Sequence, residues 1–311
     1  MAVDVSPQAS SYTLAGELRR FRKLRLAGRI GEILKYFLII ALSLSYLLPF
    51  YWMVSSSLKD DTQIFVIPPK WVPVPAHPEN FWNAWFNHPF YEFNAYLFNT
   101  VFRYAIPVTI GTVLSSMLCA YGFARLRWPG RDSLFSFLMA TMMIPWAVRM
   151  VPLFITFSKL RWVNTFLPLV VPAFLGGGAW NIFMLRQFFL TIPEELSDSA
   201  RIDGCSEFGI MWRIIVPLAK PALAVVALFS FTGAWNDFMG PLIYNNRQEN
   251  YVIALAIRHL QQSMVHVGTG YTLQYPYLMA VSTVTTLPIL ILFFMAQRTF
   301  IEGISLTGLK G

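Results

Sequence analysis

Acidic and small residues gather in one stretch of the chain, Pro193-Glu-Glu-Leu-Ser-Asp-Ser-Ala-Arg-Ile-Asp-Gly204, which continues to Ile214-Ile-Val-Pro217. Proline fits the first turn of a helix, and Glu194 and Glu195 complement the positive end of its dipole. Gly204 fits the stop. Leu196, Ala200 and Asp203 recur at helical spacing, while small Ser199 and Ala200 leave room for another protein to approach the backbone. The chemistry this pattern suits is recognition: a short, knob-like helix that docks on a partner. An ordinary connecting loop is a short polar turn and needs none of it.

Catalytic and metal-binding spacings are missing elsewhere. His77, His88, His259 and His266 have no tight ligand spacing, and Cys119 and Cys205 lie far apart, outside any redox or ligand pattern. No Gly-x-x-x-x-Gly-Lys-Ser/Thr phosphate loop occurs, so nucleotide binding falls to another chain and no cofactor is expected in this one. Convergent acids and an activated nucleophile are likewise wanting, which argues against an enzyme.

The elements that must carry the docking segment follow from composition. Of 311 residues 56% are apolar and 13% charged, with a mean hydropathy of +0.51. A soluble domain of this length needs a far more charged surface, so the solvent for most of the chain is lipid. About 20 apolar residues cross the hydrocarbon as a helix. Six such runs are expected, near Tyr36 to Ser57, Phe98 to Ala124, Leu134 to Phe157, Leu167 to Leu190, Pro221 to Met239 and Pro276 to Phe300. They are continuous rather than alternating, which excludes a barrel. The first run is too long for a cleavable signal and no small-residue site follows it.

Lys and Arg mark the cytoplasmic side. Arg19, Arg20, Arg22, Lys23, Arg25, Arg29 and Lys35 precede the first run, so both termini are expected inside. The net charge of +8 is then a signal of topology, with no nucleic-acid partner implied. The expected organisation is a cytoplasmic segment over 1–35, a first span with an outer Pro- and Trp-rich loop over 36–95, a five-helix core over 96–300, and a cytoplasmic tail over 301–311.

In the outer loop Trp82, Trp85, Phe86, Phe90 and Tyr91 suit the membrane surface as anchors, or a partner's surface. Arg149, Asn181, Asn236 and Asp237 are polar groups inside apolar runs, either tied within the bundle or facing a solute. Gly176, Gly177 and Gly178 permit close packing or a local unwinding.

The docking segment resembles the EAA loop of binding-protein-dependent ABC importers. Asp198, Ser199 and Ala200 stand at the EAA places, Gly204 at the Gly place, Ile214 at the Ile place and Val216-Pro217 at Leu-Pro, every spacing kept. Asp for Glu, Ser for Ala and Val for Leu are the departures. Ser57-Leu58-Lys59, Pro68-Pro69, Trp71, Asn99-Thr100, Tyr121-Gly-Phe-Ala-Arg125-Leu126, Met143-Ile-Pro145, Leu185-Arg-Gln-Phe-Phe189 and Trp235-Asn-Asp237 add resemblance to the carbohydrate-uptake branch, similar to the maltose-system G-type permease. So does the tail, from Glu302-Gly303 to Gly308-Leu-Lys-Gly311.

That resemblance implies an all-α permease fold with six membrane helices, transporting a sugar or oligosaccharide. It implies a second permease subunit, a different chain or a second copy of this one, two copies of a cytoplasmic ATPase that bind the ATP and Mg, and an external solute-binding protein. Glu194, Glu195, Asp198, Ser199, Ala200, Asp203, Gly204, Ile214 and Pro217 would couple to the ATPase. Gly177, Asn181, Asn236 and Asp237 would border the solute path.

Overall fold

The computed structural model describes residues 7–263 and 275–305, with side chains described at Arg29, 31–263 and 275–297. The expectations about His266 and the tail from 306 onward lie outside the described residues. Every regular element among them is helical. The chain divides into two units, Met1–Ser55 and Ser56–Gly311. The first is the bulk of one helix, α1 (Pro7–Ser57), whose Gly31–Ser57 part is long and apolar enough to cross a membrane.

The second unit holds the rest. Besides the single turns Asp61–Ile64, Val171–Phe174 and Gln248–Asn250, its helices are α2 (Glu79–Phe86), α3 (Phe93–Arg125), α4 (Arg131–Thr141), α5 (Trp146–Lys159), α6 (Leu167–Val170), α7 (Ala179–Thr191), α8 (Glu194–Ile202), α9 (Glu207–Leu218), α10 (Lys220–Asn236), α11 (Met239–Tyr244), α12 (Ile253–Ser263) and α13 (Tyr275–Ser305). Membrane-length stretches here are Phe93–Arg125, Leu167–Thr191 and Tyr275–Gln297, and the described residues hold six in all when each of two bent pairs is one span.

One expected straight span is a bent pair, and a second bend falls just ahead of another expected span, Pro221 to Met239. The run Leu134 to Phe157 is α4 and α5, which meet at 97°. Proline cannot donate a helix bond and disfavours helical geometry at Ile144 before it, so the first helix stops short of Pro145, which stands extended at φ −56° and ψ 141° as the cap of the second. The second bend, 81°, separates α9 from α10 around Ala219. Pro221 has no N–H to return to the Pro217 carbonyl, so the ladder breaks at that point.

Helix α3 is the axis of the core. Its last turns contribute Met117, Tyr121 and Ala124 to a buried cluster with Leu185 and Phe189 of α7, Ile210 and Ile215 of α9 and Val226 of α10. Tyr104 and Ala105 pack with Ala234, Val252 and Leu255. Phe93 and Tyr96, at its start, pack with Trp85, Leu260, Leu278 and Val281. Lipid tails are as apolar as these side chains, so tight fit and hydrogen bonds must carry much of the association. Gly111, Thr112, Ser115 and Ser116 supply that fit in the middle of α3, where Ser115 Oγ donates to the Ala173 carbonyl at 2.7 Å.

The loop after α1 corrects one expectation. Trp85 is buried and donates from Nε1 to Asn94 Oδ1 at 2.8 Å, so it belongs to the core and is no surface anchor. Trp82, Phe86 and Phe90 are exposed. Lys59 is buried with its Nζ donating to the Lys70 carbonyl at 2.6 Å, and Asn80 Nδ2 donates to the carbonyls of Ser57 and Lys59. These bonds satisfy backbone that a Pro-rich loop cannot satisfy itself.

Candidate functional site

Helix α8 begins directly after Pro193 and ends in a closed cap. The Cys205 amide donates to the Ala200 carbonyl at 2.9 Å and the Gly204 amide to the Arg201 carbonyl at 3.0 Å, with Gly204 at φ +78°. That pair of bonds is the Schellman pattern, which needs a left-handed residue at this place and so selects glycine. A Cβ on Gly204 would meet nothing within 4 Å.

The helix has two faces. Ser197 and Ala200 are buried, so Ala200 packs into its own chain's core and leaves no room for a partner there. Glu194, Glu195, Leu196, Asp198, Ser199, Ile202 and Asp203 are exposed. Ile202 is 87% exposed beside this acidic row, which is costly unless something covers it. Further on, Ile214 packs against the core from partial burial and Pro217 is exposed.

A polar network holds α8 in place. Arg201 Nη1 donates to Asp198 Oδ1 at 2.6 Å, and its Nε donates to Glu207 Oε1 at 2.7 Å. Glu207 Oε2 accepts from the Tyr121 hydroxyl of α3 at 2.6 Å. The hydrogen bond to Glu207, ahead of the one to Asp198, raises the Arg201 pKa above its already high ordinary range. On the approach side, Arg125 Nη2 donates to the carbonyls of Phe189 and Ile192 at 2.7 and 2.5 Å. Arg127 and Glu194 form an exposed pair at 3.5 Å, worth little by itself.

These residues line a cleft of ≈ 670 Å³ bounded by Arg125, Leu126, Arg127, Trp128, Glu194, Asp198, Arg201 and Glu207. Tyr121, Arg125 and Glu207 are functional candidates that spacing alone could not nominate. Tyr121 and Glu207 are 86 positions apart, and neither periodicity nor a local motif links them. Tyr121 and Arg125 stood in the sequence only as members of one motif of the family resemblance, with no partner assigned to either.

The proposed path residues occupy two places. At Gly176–Gly178 the chain unwinds, with φ values of +111°, +66° and +91°. Close packing occurs at the same point, since a Cβ on Gly177 would lie 2.5 Å from the Thr112 carbonyl and 2.9 Å from Ser115 Oγ. Asn181 Nδ2 donates to the Gly177 carbonyl at 2.7 Å, satisfying backbone freed by the unwinding.

Asp237 stands at the other place, where it caps α11. Its Oδ1 accepts from the Gly240 amide at 3.1 Å and its Oδ2 from the Tyr104 hydroxyl at 2.5 Å. The carboxylate therefore faces protein donors. Asn236 turns back to donate to the Thr232 carbonyl at 2.9 Å and is exposed. Arg149 is exposed and makes no ion pair with any described residue. Beside Asp237 opens a cleft of ≈ 470 Å³ whose walls include Tyr104, Trp146, Phe157, Leu169, Pro172 and Tyr244. Asn181 and Asp237 are thus not brought together in one polar site.

A family model described as binding-protein-dependent transport system inner membrane component matches residues 111–305, which take in both places. The chain is similar to the arabinooligosaccharides transport system permease protein AraQ of Halalkalibacterium halodurans, with 36% identity over 68% of this chain and 73% of that one. It is similar to the sn-glycerol-3-phosphate transport system permease protein UgpE of Yersinia enterocolitica, with 30% identity over 88% of this chain and 95% of that one. Among solved structures, a chain from the crystal structure of a bacterial ABC transporter involved in the import of the acidic polysaccharide alginate matches with a TM-score of 0.74. It is 21% identical, and the match covers 87% of this chain and 96% of that one.

Proposed function

The chain belongs to the binding-protein-dependent transport system inner membrane component family, and from that premise we propose that it passes a sugar or oligosaccharide through the membrane under the drive of an ATPase on a separate chain. It is a multi-pass membrane protein and a permease subunit of an ABC importer. The finer reading adds cytoplasmic termini, a second permease of different sequence, two ATPase subunits holding ATP and Mg, and an external binding protein that delivers the solute.

One observation carries this reading: α8 is a short helix, rigidly capped and tied, that turns an acidic face with Leu196 and Ile202 outward. A structural helix of a closed bundle would bury those two side chains. In the proposed cycle Glu194, Glu195, Leu196, Asp198, Ser199, Ile202 and Asp203 seat in the ATPase, while Ala200, Gly204, Ile214 and Pro217 keep the element rigid. Closure of the ATPase dimer then moves α8 as a body and rocks the bundle between its two openings. The solute path is assigned to the region of the unwound turn and the aromatic cleft. Gly177 and Asn181 shape it, and Asn236 and Asp237 edge it.

The test is uptake by the reconstituted complex, with arabino-oligosaccharide and glycerol 3-phosphate as probes. Accumulation that requires ATP, the ATPase and this chain together is expected. Accumulation that persists in vesicles lacking ATP and any partner would overturn the proposal in favour of a secondary transporter.

A further inference from the structure

We propose that α3 is the stiff rod by which motion of α8 reaches the far side of the bundle, with Tyr121, Arg125 and Glu207 as the positioning residues that fasten the two together. The proposal rests on the reading of α8 as the docking helix for the ATPase.

The covalent routes out of α8 are broken. Upstream, α7 starts at the unwound Gly176–Gly178 turn, and downstream the chain bends by 81° between α9 and α10. A push on α8 along either route meets a joint that can absorb it. Between Ile106 and Arg125, α3 is unbroken α-helix, and Asn99–Ala105 continues it toward Phe93 as a π-helical segment of the same span.

Both ends of the docking element are fixed to one face of that helix. Tyr121 and Arg125 stand four residues apart, so their side chains neighbour one another. Arg125 grips the Phe189 and Ile192 carbonyls, immediately ahead of Pro193. Tyr121 grips Glu207, which grips Arg201 in the last turn of α8. The entrance and the exit of α8 are thereby pinned to adjacent turns of α3.

The far part of α3 is tied as well. The Tyr104 hydroxyl reaches Asp237 at the end of α10. Asn99 Nδ2 donates to the carbonyls of Glu249 and Tyr251, and Thr100 Oγ1 accepts from the Ile253 amide. Tyr104 and Tyr121 are seventeen positions apart, about 25 Å along a helix. A displacement entering at Tyr121 and Arg125 therefore arrives at the Asp237 cleft as rigid-body motion.

The experiment uses the full reconstituted complex, spin-labelled at exposed Phe102 on the far part of α3 and exposed Trp180 at the start of α7, trapped with ATP, Mg and vanadate. The wild type is expected to change its label distance on trapping. Tyr121→Phe and Glu207→Gln are each expected to lower the ratio of trapped to resting conformer about tenfold, with the ATPase still co-purifying. The double variant is expected to match the singles, since the two groups act as one contact. Wild-type trapping in Tyr121→Phe would overturn the proposal, and so would loss of the ATPase from that variant, which would make the network a mere scaffold for docking. No distance change in the wild type would overturn it too. Failure of the docking reading is seen separately: Leu196→Asp would then leave ATPase co-purification intact.

Discussion

Gly177 and Gly204 both hold positive φ, +66° and +78°, yet their surroundings are opposite. A side chain at Gly177 would strike the Thr112 carbonyl and Ser115 of α3, whereas one at Gly204 would point into open space. The first glycine is demanded by backbone conformation and by contact, the second by conformation alone. A region where glycine is needed only for its backbone, in a loop whose side chains face outward, is free to receive another molecule. A region where glycine lets two helices touch is part of the frame.

The largest effect should come from breaking the frame. Gly177→Ala adds left-handed strain of about 1–2 kcal/mol to overpacking against α3 of about 1–3 kcal/mol. Thermal unfolding of the purified protein in detergent should shift down by many degrees. A midpoint equal to wild type would show that α3 and the turn separate easily, and the contrast with Gly204 would collapse.

Next comes the docking side. Gly204→Glu costs only the strain of about 1–2 kcal/mol, so the chain should still insert, but the added carboxylate stands where the partner must approach. Uptake should fall to background while membrane levels stay near normal, and Gly204→Asn, which tolerates the left-handed region, should retain most of it. Full uptake by Gly204→Glu would remove this loop from the mechanism.

A smaller loss is expected at the far tie of α3. Tyr104→Phe deletes a hydrogen bond to a charged acceptor, worth about 1.5–3 kcal/mol, but leaves Asp237 its bond from the Gly240 amide. Unfolding should move by less than in Gly177→Ala, with α8 and its ATPase contact untouched. Weakened ATPase binding in Tyr104→Phe would mean that the two ends of α3 are not separable.

How much of this was legible in the sequence depended on range. Pro193, the two glutamates and Gly204 lie within one short segment, and local rules sufficed to place α8 there. Hydropathy marked the apolar runs but carries no direction, so the bend at Pro145 vanished into a continuous stretch although proline stood there, while the bend at Ala219 fell just ahead of the run that began at Pro221. Trp85 resembled an interfacial anchor because composition cannot tell a ring at the surface from one that folds back onto Phe93 and finds Asn94. The Tyr121–Glu207–Arg201 and Tyr104–Asp237 contacts join residues 86 and 133 positions apart, beyond the reach of any periodicity. Asp237 in an apolar run signalled a costly charge, and only the fold supplied the donors that neutralise its cost.

The smallest effect on stability should come from the exposed apolar tip of α8, and it tests the comparison most directly. Ile202 is 87% exposed and makes no core contact that a substitution would empty. Ile202→Ser should therefore leave unfolding within about 0.5 kcal/mol of wild type, as exposed positions do. In the assembled transporter the same side chain would be covered by the ATPase, and removing it should weaken co-purification severalfold and lower uptake in proportion. A variant that unfolds normally and binds the ATPase normally would mean that this face is bare in the complex. The open surroundings of Gly204 would then reflect an idle loop, and the distinction between the two glycines would lose its functional half.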